Sequence, residues 1–450
     1  MAITTDQSVL NILKAWYKDG LENLLFRNSP VVGAIKKTRV EGKTQNFAAI
    51  YSHGGAVSGD YTKAKAKAAQ SAKNAEYKVE PGQIFSVCAY NAKEVQASLS
   101  SKGAYMKVAA NKLFASSEGF RKTLAAALYG RGYGELAVIT DAITVGDNTL
   151  TLPTDACMKL DVGSSVVAKA SIEASTIAST GVVKSINGNT VVITFDTQVT
   201  GSANKFICLD GSIDASGNPI LPMGLAGWLP TVGKRTGATW NSYIANNFFG
   251  VNRSTAADRL AGAFIAGGAG EAKATTVQKL VAAVRRHGAK DLMVILNDED
   301  WMEIASTIQT TNAYMTSAAS KKAAIQGYNT IGFAMSTSWT DSVYDDPYCP
   351  KGRFYVLDKN AIELWSYTNV DAASDGIANN EPGKADPMTQ DAPQNQYALV
   401  VDDYLSVVPG ADTIDGASTA VAINGFMSFV VLNPSNCGVG IFDGATPIDC

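Results

Sequence analysis

Residues 36–80 limit what this chain can fold into more than any other stretch, because they cannot build a hydrophobic core of their own. The stretch carries nine lysines and arginines, few large apolar residues and a glycine-rich centre at residues 53–60. Alternating side chains predict strands in Asn46–Tyr51 and Glu76–Val87, which together make a long basic β-hairpin. A two-stranded hairpin is at best marginally stable by itself in water. We therefore expect this hairpin to lie on another surface; the alternative is a mobile surface loop.

Residues 7–27 show the spacing of an amphipathic helix. Leu10, Leu13, Trp16 and Leu24 belong to an apolar stripe that recurs at helical intervals, and Pro30 ends the pattern. The stripe either packs into the core of the chain or docks on a neighbouring molecule. Its place at one end of the sequence is compatible with docking.

Two further stretches have clear secondary-structure patterns. Apolar residues at helical spacing predict a long helix within residues 92–130, for which Gly130 is a suitable C-terminal stop. Residues 135–215 change to alternating segments rich in threonine and valine, and Asn187-Gly188 between two of them is a strong hairpin signal. This region is predicted to be a small β-barrel or β-sandwich.

Residues 271–365 return to a mixed pattern of helices and strands. We predict a helix over Thr275–His287, a strand over Leu292–Leu296 and a second helix capped at Asn297-Asp298. The chain becomes acidic and rich in turn residues over 371–420. Three more strands are predicted, at Ile331–Met335, Arg353–Leu357 and Gly425–Leu432.

The residue patterns that common enzyme classes require do not occur in this sequence. Two histidines leave little material for general-base or metal chemistry. The six cysteines lie far apart, which argues against a zinc site, and neither a phosphate-binding P-loop nor a G-x-S-x-G elbow is found. Neighbouring acidic pairs such as Asp402/Asp403 are expected to be solvated loops. We therefore predict no catalytic residue, no cofactor and no bound metal.

The charge and hydropathy of the chain exclude further classes. The net charge is −3 at pH 7, so the chain as a whole lacks the excess of basic residues that proteins gripping nucleic acid usually carry. No apolar run approaches the roughly 18 residues that a membrane-spanning helix needs. The first residues do not have the pattern of a signal peptide. We expect a soluble protein that is made inside the cell.

The order of these elements is more informative than any single motif. An N-terminal arm, a long basic hairpin, a long helix, an inserted β region, a mixed α/β region and a last strand follow one another, and the helix–strand–helix passage includes Asp291-Leu-Met-Val-Ile-Leu-Asn-Asp-Glu-Asp-Trp-Met302. This order resembles the major capsid proteins of tailed bacteriophages, whose α+β fold was first seen in the phage Hong Kong 97. The resemblance implies five parts: an N-terminal arm (1–35), an extended loop (36–90), a peripheral domain with a spine helix (91–134, 216–270 and 421–450), an inserted β domain (135–215) and an axial domain (271–420).

The resemblance also implies a function. A capsid protein is a structural protein and not an enzyme; it would assemble with itself into hexamers and pentamers of an icosahedral virion shell, in the host cytoplasm and without a membrane. Implied partners are a separate scaffolding protein, a portal, a decoration protein, and enclosed double-stranded DNA that is bound without sequence specificity. Two alternatives remain from the sequence: a phage tail or sheath component, or a surface-adhesion protein that binds through the β region. A hydrolase is a third class, for which no catalytic cluster is apparent.

Contacts between subunits are expected at the basic hairpin, the N-terminal stripe and the acidic pairs. The predicted interface residues are Lys36, Lys37, Arg39, Lys43, Lys63, Lys65, Lys67, Lys73, Trp16, Leu13, Asp298, Asp300, Asp345 and Asp346.

Overall fold

The computed structural model describes residues 29–40, 43–54, 57–67, 72–91, 108–200, 205–311, 342–366, 399–400, 406–409 and 418–445. These residues belong to two compact units. The smaller unit includes Gln83–Leu124 and the described residues between 399 and 426, and the larger unit includes Ser29–Gly82, Ala125–Ser366 and the described residues from Met427 onward.

The helices of the described residues are α1 (Pro30–Ala34), α2 (Tyr61–Ala66), α3 (Val108–Leu128), α4 (Thr154–Lys159), α5 (Leu225–Trp228), α6 (Gly237–Ala245), α7 (Ala257–Leu260), α8 (Lys273–Arg286) and α9 (Asp298–Thr311). The first ten strands are β1 (Lys36–Arg39), β2 (Gln45–Ser52), β3 (Lys73–Val79), β4 (Gly82–Asn91), β5 (Glu135–Ile139), β6 (Gly146–Thr151), β7 (Ser165–Lys169), β8 (Ile177–Asn187), β9 (Thr190–Phe195) and β10 (Lys205–Leu209). The remaining strands are β11 (Ala263–Ala266), β12 (Leu292–Leu296), β13 (Ser342–Asp345), β14 (Arg353–Asp358), β15 (Ile362–Ser366), β16 (Leu399–Val400), β17 (Ser406–Pro409), β18 (Ser418–Val431) and β19 (Gly438–Ile441). No described helix is both long enough and apolar enough to cross a membrane.

A mixed five-stranded sheet forms one core of the larger unit, with the strand order β11-β19-β14-β12-β13. Helix α8 packs on this sheet because Val277, Leu280, Val281 and Val284 recur at helical spacing and are all fully buried. The predicted strand Leu292–Leu296 is confirmed with the same bounds, and the predicted helix over Thr275–His287 runs from Lys273 to Arg286. The predicted strand at residues 331–335 lies outside the described residues.

An antiparallel six-stranded sheet holds the second core, with the order β5-β10-β7-β8-β9-β6. Alternate residues of β9 point inward, and Val191, Ile193 and Phe195 are buried there. The hairpin predicted at Asn187-Gly188 is confirmed: β8 and β9 pair up to Asn187↔Thr190, and Gly188 takes the positive φ of 59° that such a tight turn requires.

The last sheet is built around β18. In the larger unit β15 pairs with β18 antiparallel, from Ile362↔Val431 to Ser366↔Met427, and with β1 in parallel. In the smaller unit β17 pairs with β18, and β16 pairs with β17. The strand predicted at residues 425–432 is confirmed, although it begins earlier, at Ser418.

The long helix is confirmed as α3, which ends at Leu128, two residues before the predicted stop. Gly119 lies within α3 and does not interrupt it. The described residues of this helix begin at Val108; the earlier part of the predicted stretch, residues 92–107, lies outside the described residues.

Candidate functional site

The basic hairpin consists of β2 and β3, which pair from Gln45↔Val79 to Ser52↔Lys73, with α2 in the connection between them. Asp60 starts α2, because its carboxylate accepts hydrogen bonds from the backbone N–H groups of Thr62 and Lys63 at 2.8 and 3.4 Å. The predicted strand at residues 46–51 is confirmed by β2. The predicted bounds of its partner strand, Glu76–Val87, are wrong.

The single strand predicted over Glu76–Val87 is two strands, β3 and β4, separated at Glu80 and Pro81. Proline cannot donate a ladder hydrogen bond, so it favours the break at this point. Gly82 then passes so close to Pro222 that an added Cβ atom would lie 2.3 Å from its backbone nitrogen. The hairpin therefore ends at Val79 instead of continuing toward residue 87.

The base of the hairpin lies on an aromatic cluster of its own chain. Tyr77 is fully buried; its ring stacks on Phe47 at 5.0 Å between centroids and lies 5.4 Å from Trp228. The ring of Trp365 meets Phe47 edge-on at 5.9 Å. The Tyr77 hydroxyl donates to the Leu260 carbonyl at 3.3 Å, and burial raises the pKa of Tyr77 to about 12. The expectation that the hairpin needs a covering surface is thus met at its base by the same chain, and not by a neighbouring subunit.

Backbone contacts position the hairpin as well. Phe249 adopts a left-handed conformation with φ of 48°, and its carbonyl accepts a hydrogen bond from the Lys78 N–H at 2.8 Å. Its ring also contacts Trp228, with 5.5 Å between the centroids. Arg259 donates to the carbonyl of Tyr51 on the other strand. One strand of the hairpin is therefore fastened to Phe249 and the other to Arg259 of α7.

The far end of the hairpin has a different environment. Ile50 is 63% exposed, Val57 93% and Tyr61 80%. Lys63 and Lys65 of α2 and Lys67, which follows the helix, are exposed too. We call these six residues the hairpin tip. Exposed large apolar side chains beside cationic groups are typical of a protein-binding surface.

The predicted interface residues of β1 have partners within the chain. Lys36 Nζ lies 2.6 Å from Glu363 Oε1, and Thr38 and Trp365 donate to Glu363 Oε2 at 2.9 and 3.0 Å. Burial opposes ionisation of Glu363, but the hydrogen bonds from Lys36, Trp365 and Thr38 outweigh it and lower the pKa of Glu363. The other predicted basic residues, Lys37, Arg39, Lys43 and Lys73, lie exposed on the surface.

Two of the predicted acidic interface residues are inside the chain, which corrects that prediction. Asp300 is fully buried; it lies 2.6 Å from Lys273 Nζ and accepts the Gly352 N–H at 2.7 Å. Asp346 is also fully buried and accepts hydrogen bonds from Tyr129 at 2.8 Å and from Ser29. A carboxylate enclosed in this way is saturated by its own chain and presents no surface to another molecule.

The remaining members of the predicted set divide in two. Asp298 and Asp345 are half-buried, and Asp298 lies in the first turn of α9. The predicted cap of that helix is confirmed, since Asn297 Oδ1 accepts the Glu299 N–H at 3.0 Å. Leu13 and Trp16 lie outside the described residues.

The known proteins that this chain resembles are solved structures. No family model and no curated protein matches the chain. A solved structure does: a chain of the capsid asymmetric unit of cyanophage A-1(L) aligns over 96% of this chain and 97% of its own length, with a TM-score of 0.55 and 13% identity. The chain has a phage capsid fold. The resemblance stated from the sequence is thereby confirmed at the level of the fold.

Two other solved structures are similar over nearly the full length. One, from Mycobacterium phage Bobi, covers 99% of this chain and 100% of its own, with 9% identity and a TM-score of 0.45. The other is the holo-SrpI encapsulin complex from Synechococcus elongatus PCC 7942, which covers 97% of this chain and 94% of its own, with 9% identity and a TM-score of 0.44.

Proposed function

We propose that this chain is a structural capsid subunit that assembles with copies of itself, as hexamers and pentamers, into an icosahedral shell around phage DNA. The observation that carries the proposal is the hairpin tip, on a chain with a phage capsid fold. The base of the hairpin is fastened to the chain's own aromatic cluster, whereas the tip leaves Ile50, Val57 and Tyr61 in solvent. Such a projection is suited to contact a second copy.

The two kinds of tip residue have different roles in this proposal. Burial of exposed apolar side chains supplies most of the free energy of association, about 25 cal/mol for each Å² removed from water. Lys63, Lys65 and Lys67 add little affinity individually, because exposed ion pairs are weak. Their charge selects the partner surface and its register.

The remaining expectations belong to the same proposal. The virion is the site of action, and assembly takes place in the host cytoplasm with a separate scaffolding protein, a portal and a decoration protein. The net charge of −3 suits a shell wall that encloses DNA without sequence-specific binding. The β region of residues 135–215 is the inserted domain, and the chain acts without catalysis.

The test is charge reversal at the tip. Substitution of Lys63, Lys65 and Lys67 by glutamate is expected to abolish closed shells in negative-stain micrographs, while circular dichroism shows an unchanged fold. The matched control replaces the same three lysines by arginine, which keeps the charge and is expected to assemble. Normal shells from the glutamate variant would exclude these charges from the contact. Tubes or stable monomers from the unmodified chain would contradict the shell itself.

A further inference from the structure

A cavity of about 480 Å³ opens on the larger unit, remote in sequence from the hairpin tip. Helix α6 forms one wall, and the turn after β7 together with β10 forms the opposite one. Its size falls within the range of small-molecule sites, about 300–1,000 Å³.

Arg131 forms the floor of the cavity. It is only 7% exposed, and Nη1 donates to Glu173 Oε1 at 3.1 Å. Glu135 accepts the Arg131 backbone N–H at 2.6 Å and lies 4.0 Å from Nε. The Nε atom donates to no acceptor among the described residues. The guanidinium is therefore buried and oriented, but its hydrogen-bonding capacity is incompletely used.

The surroundings of Arg131 are cationic, although neither of the neighbouring cations lines the cavity. Two more buried cations lie beyond the aromatic rings next to it: Lys169 Nζ is 5.2 Å from the Tyr133 ring, and the Arg253 guanidinium is 5.6 Å from the Tyr243 ring. Both donate to backbone carbonyls, Lys169 to Ile172 and Arg253 to Gly227 and Trp228.

The carboxylates that act on Arg131 and on the Tyr133 ring are Glu135 and Glu173. Glu135 is enclosed by the chain, whereas the Glu173 side chain is half-exposed, so Glu173 is the carboxylate that a ligand can replace.

The side chains of the cavity walls indicate which class of anion fits. Ile172, Phe206 and Val232 offer apolar surface, and α6 contributes the hydroxyls of Thr239 and Ser242 at the rim. A planar carboxylate matches the guanidinium fork, and an apolar stem matches the opposite wall. The chain itself shows that a carboxylate can occupy this place, because Glu173 is bound to Arg131 while its side chain is 51% exposed.

We propose that this cavity binds a carboxylate carried on an apolar stem, with Arg131 as its cationic partner and Glu173 as the internal carboxylate that it displaces. The carboxylate belongs either to a small molecule or to an acidic side chain of another protein. The chemistry is the same for both sources, and the site is distinct from the hairpin tip.

The test is titration of the full chain with sodium benzoate in a carboxylate-free buffer, followed by calorimetry. The unmodified chain is expected to bind benzoate and not to bind neutral benzamide. Glu173→Gln removes the internal competitor, so its affinity for benzoate is expected to rise by about two- to fivefold, the range for release of a partly exposed ion pair. The matched control is Glu299→Gln, a carboxylate that pairs with Lys351 away from the cavity and is expected to leave the affinity unchanged.

Arg131→Met is expected to abolish binding, with its fold checked by circular dichroism; if it fails to fold, Glu173→Gln decides alone. Equal binding of benzamide and benzoate, or equal affinities of Glu173→Gln and Glu299→Gln, would overturn the proposal. An acetylated and amidated glutamate separates the two sources. Tighter binding of this compound than of benzoate favours a protein side chain, and the reverse favours a small molecule.

Discussion

Replacement of Tyr77 by alanine is expected to destabilise the larger unit strongly, because this residue joins the basic hairpin to the core. Its fully buried ring packs against Phe47 and Trp228. Loss of a buried aromatic ring costs about 3–5 kcal/mol. Loss of the hydrogen bond to Leu260 adds about 1 kcal/mol. We expect the free energy of unfolding to fall by about 5 kcal/mol in Tyr77→Ala and by about 1 kcal/mol in Tyr77→Phe, which keeps the ring.

The assay is urea unfolding of assembly-free chain, followed by tryptophan fluorescence. The matched control is Tyr61→Ala at the tip, where the side chain is exposed and the change should stay within about 0.5 kcal/mol. The two tyrosines are expected to separate stability from assembly: Tyr61→Ala folds normally and forms fewer shells, whereas Tyr77→Ala loses stability first. If Tyr77→Ala is no less stable than Tyr61→Ala, the base of the hairpin is not part of the core and the reasoning fails.

Three further predictions follow from buried contacts of the larger unit. Asp300→Ala should lower the free energy of unfolding by about 3 kcal/mol, because Lys273 loses its buried partner, whereas Glu303→Ala should change it by less than about 1 kcal/mol; urea unfolding measures both. The lowered pKa of Glu363 means that its stabilising contribution is present above its ordinary pKa of 4.5 and is lost as the pH falls through the folded-state value. Glu363→Gln should therefore be less stable than the unmodified chain at pH 6, with a difference that shrinks on acidification; a constant difference down to pH 3 would contradict the linkage. Gly440→Ala would place a Cβ atom 2.2 Å from the Phe354 ring, so thermal unfolding should show a loss of about 1–3 kcal/mol.

Local pattern was sufficient for the elements whose signals lie within a few residues of one another. The strand Leu292–Leu296 is a short apolar run bounded by polar residues, and it is buried on both faces as such runs usually are. The turn at Asn187-Gly188 requires a positive φ at the glycine, so these two residues are sufficient to predict it. The break between β3 and β4 also had a local signal, Pro81-Gly82, which the alternation on either side obscured.

Contacts between distant residues could not be predicted in the same way. Alternation in β3 shows that Tyr77 faces inward, but it does not show that Trp228 covers it, since Trp228 lies far along the chain. The sequence predicts surface positions for Asp300 and Asp346, because acidic residues are seldom fully buried. Their partners, Lys273 for one and Tyr129 for the other, come from separate segments that only the fold brings together.

The aromatic cluster beneath the hairpin has a consequence for the proposed assembly. An arm that orders only on contact would lose about 1–2 kcal/mol of backbone entropy per residue at that moment. Here both strands are already held by Tyr77, Phe249 and Arg259 before a second copy arrives. The hairpin is therefore ordered during folding. An encounter with a second copy has to immobilise little more than the tip. In the proposed assembly, pre-organisation of this kind lowers the entropic cost of each encounter and so strengthens docking of the tip.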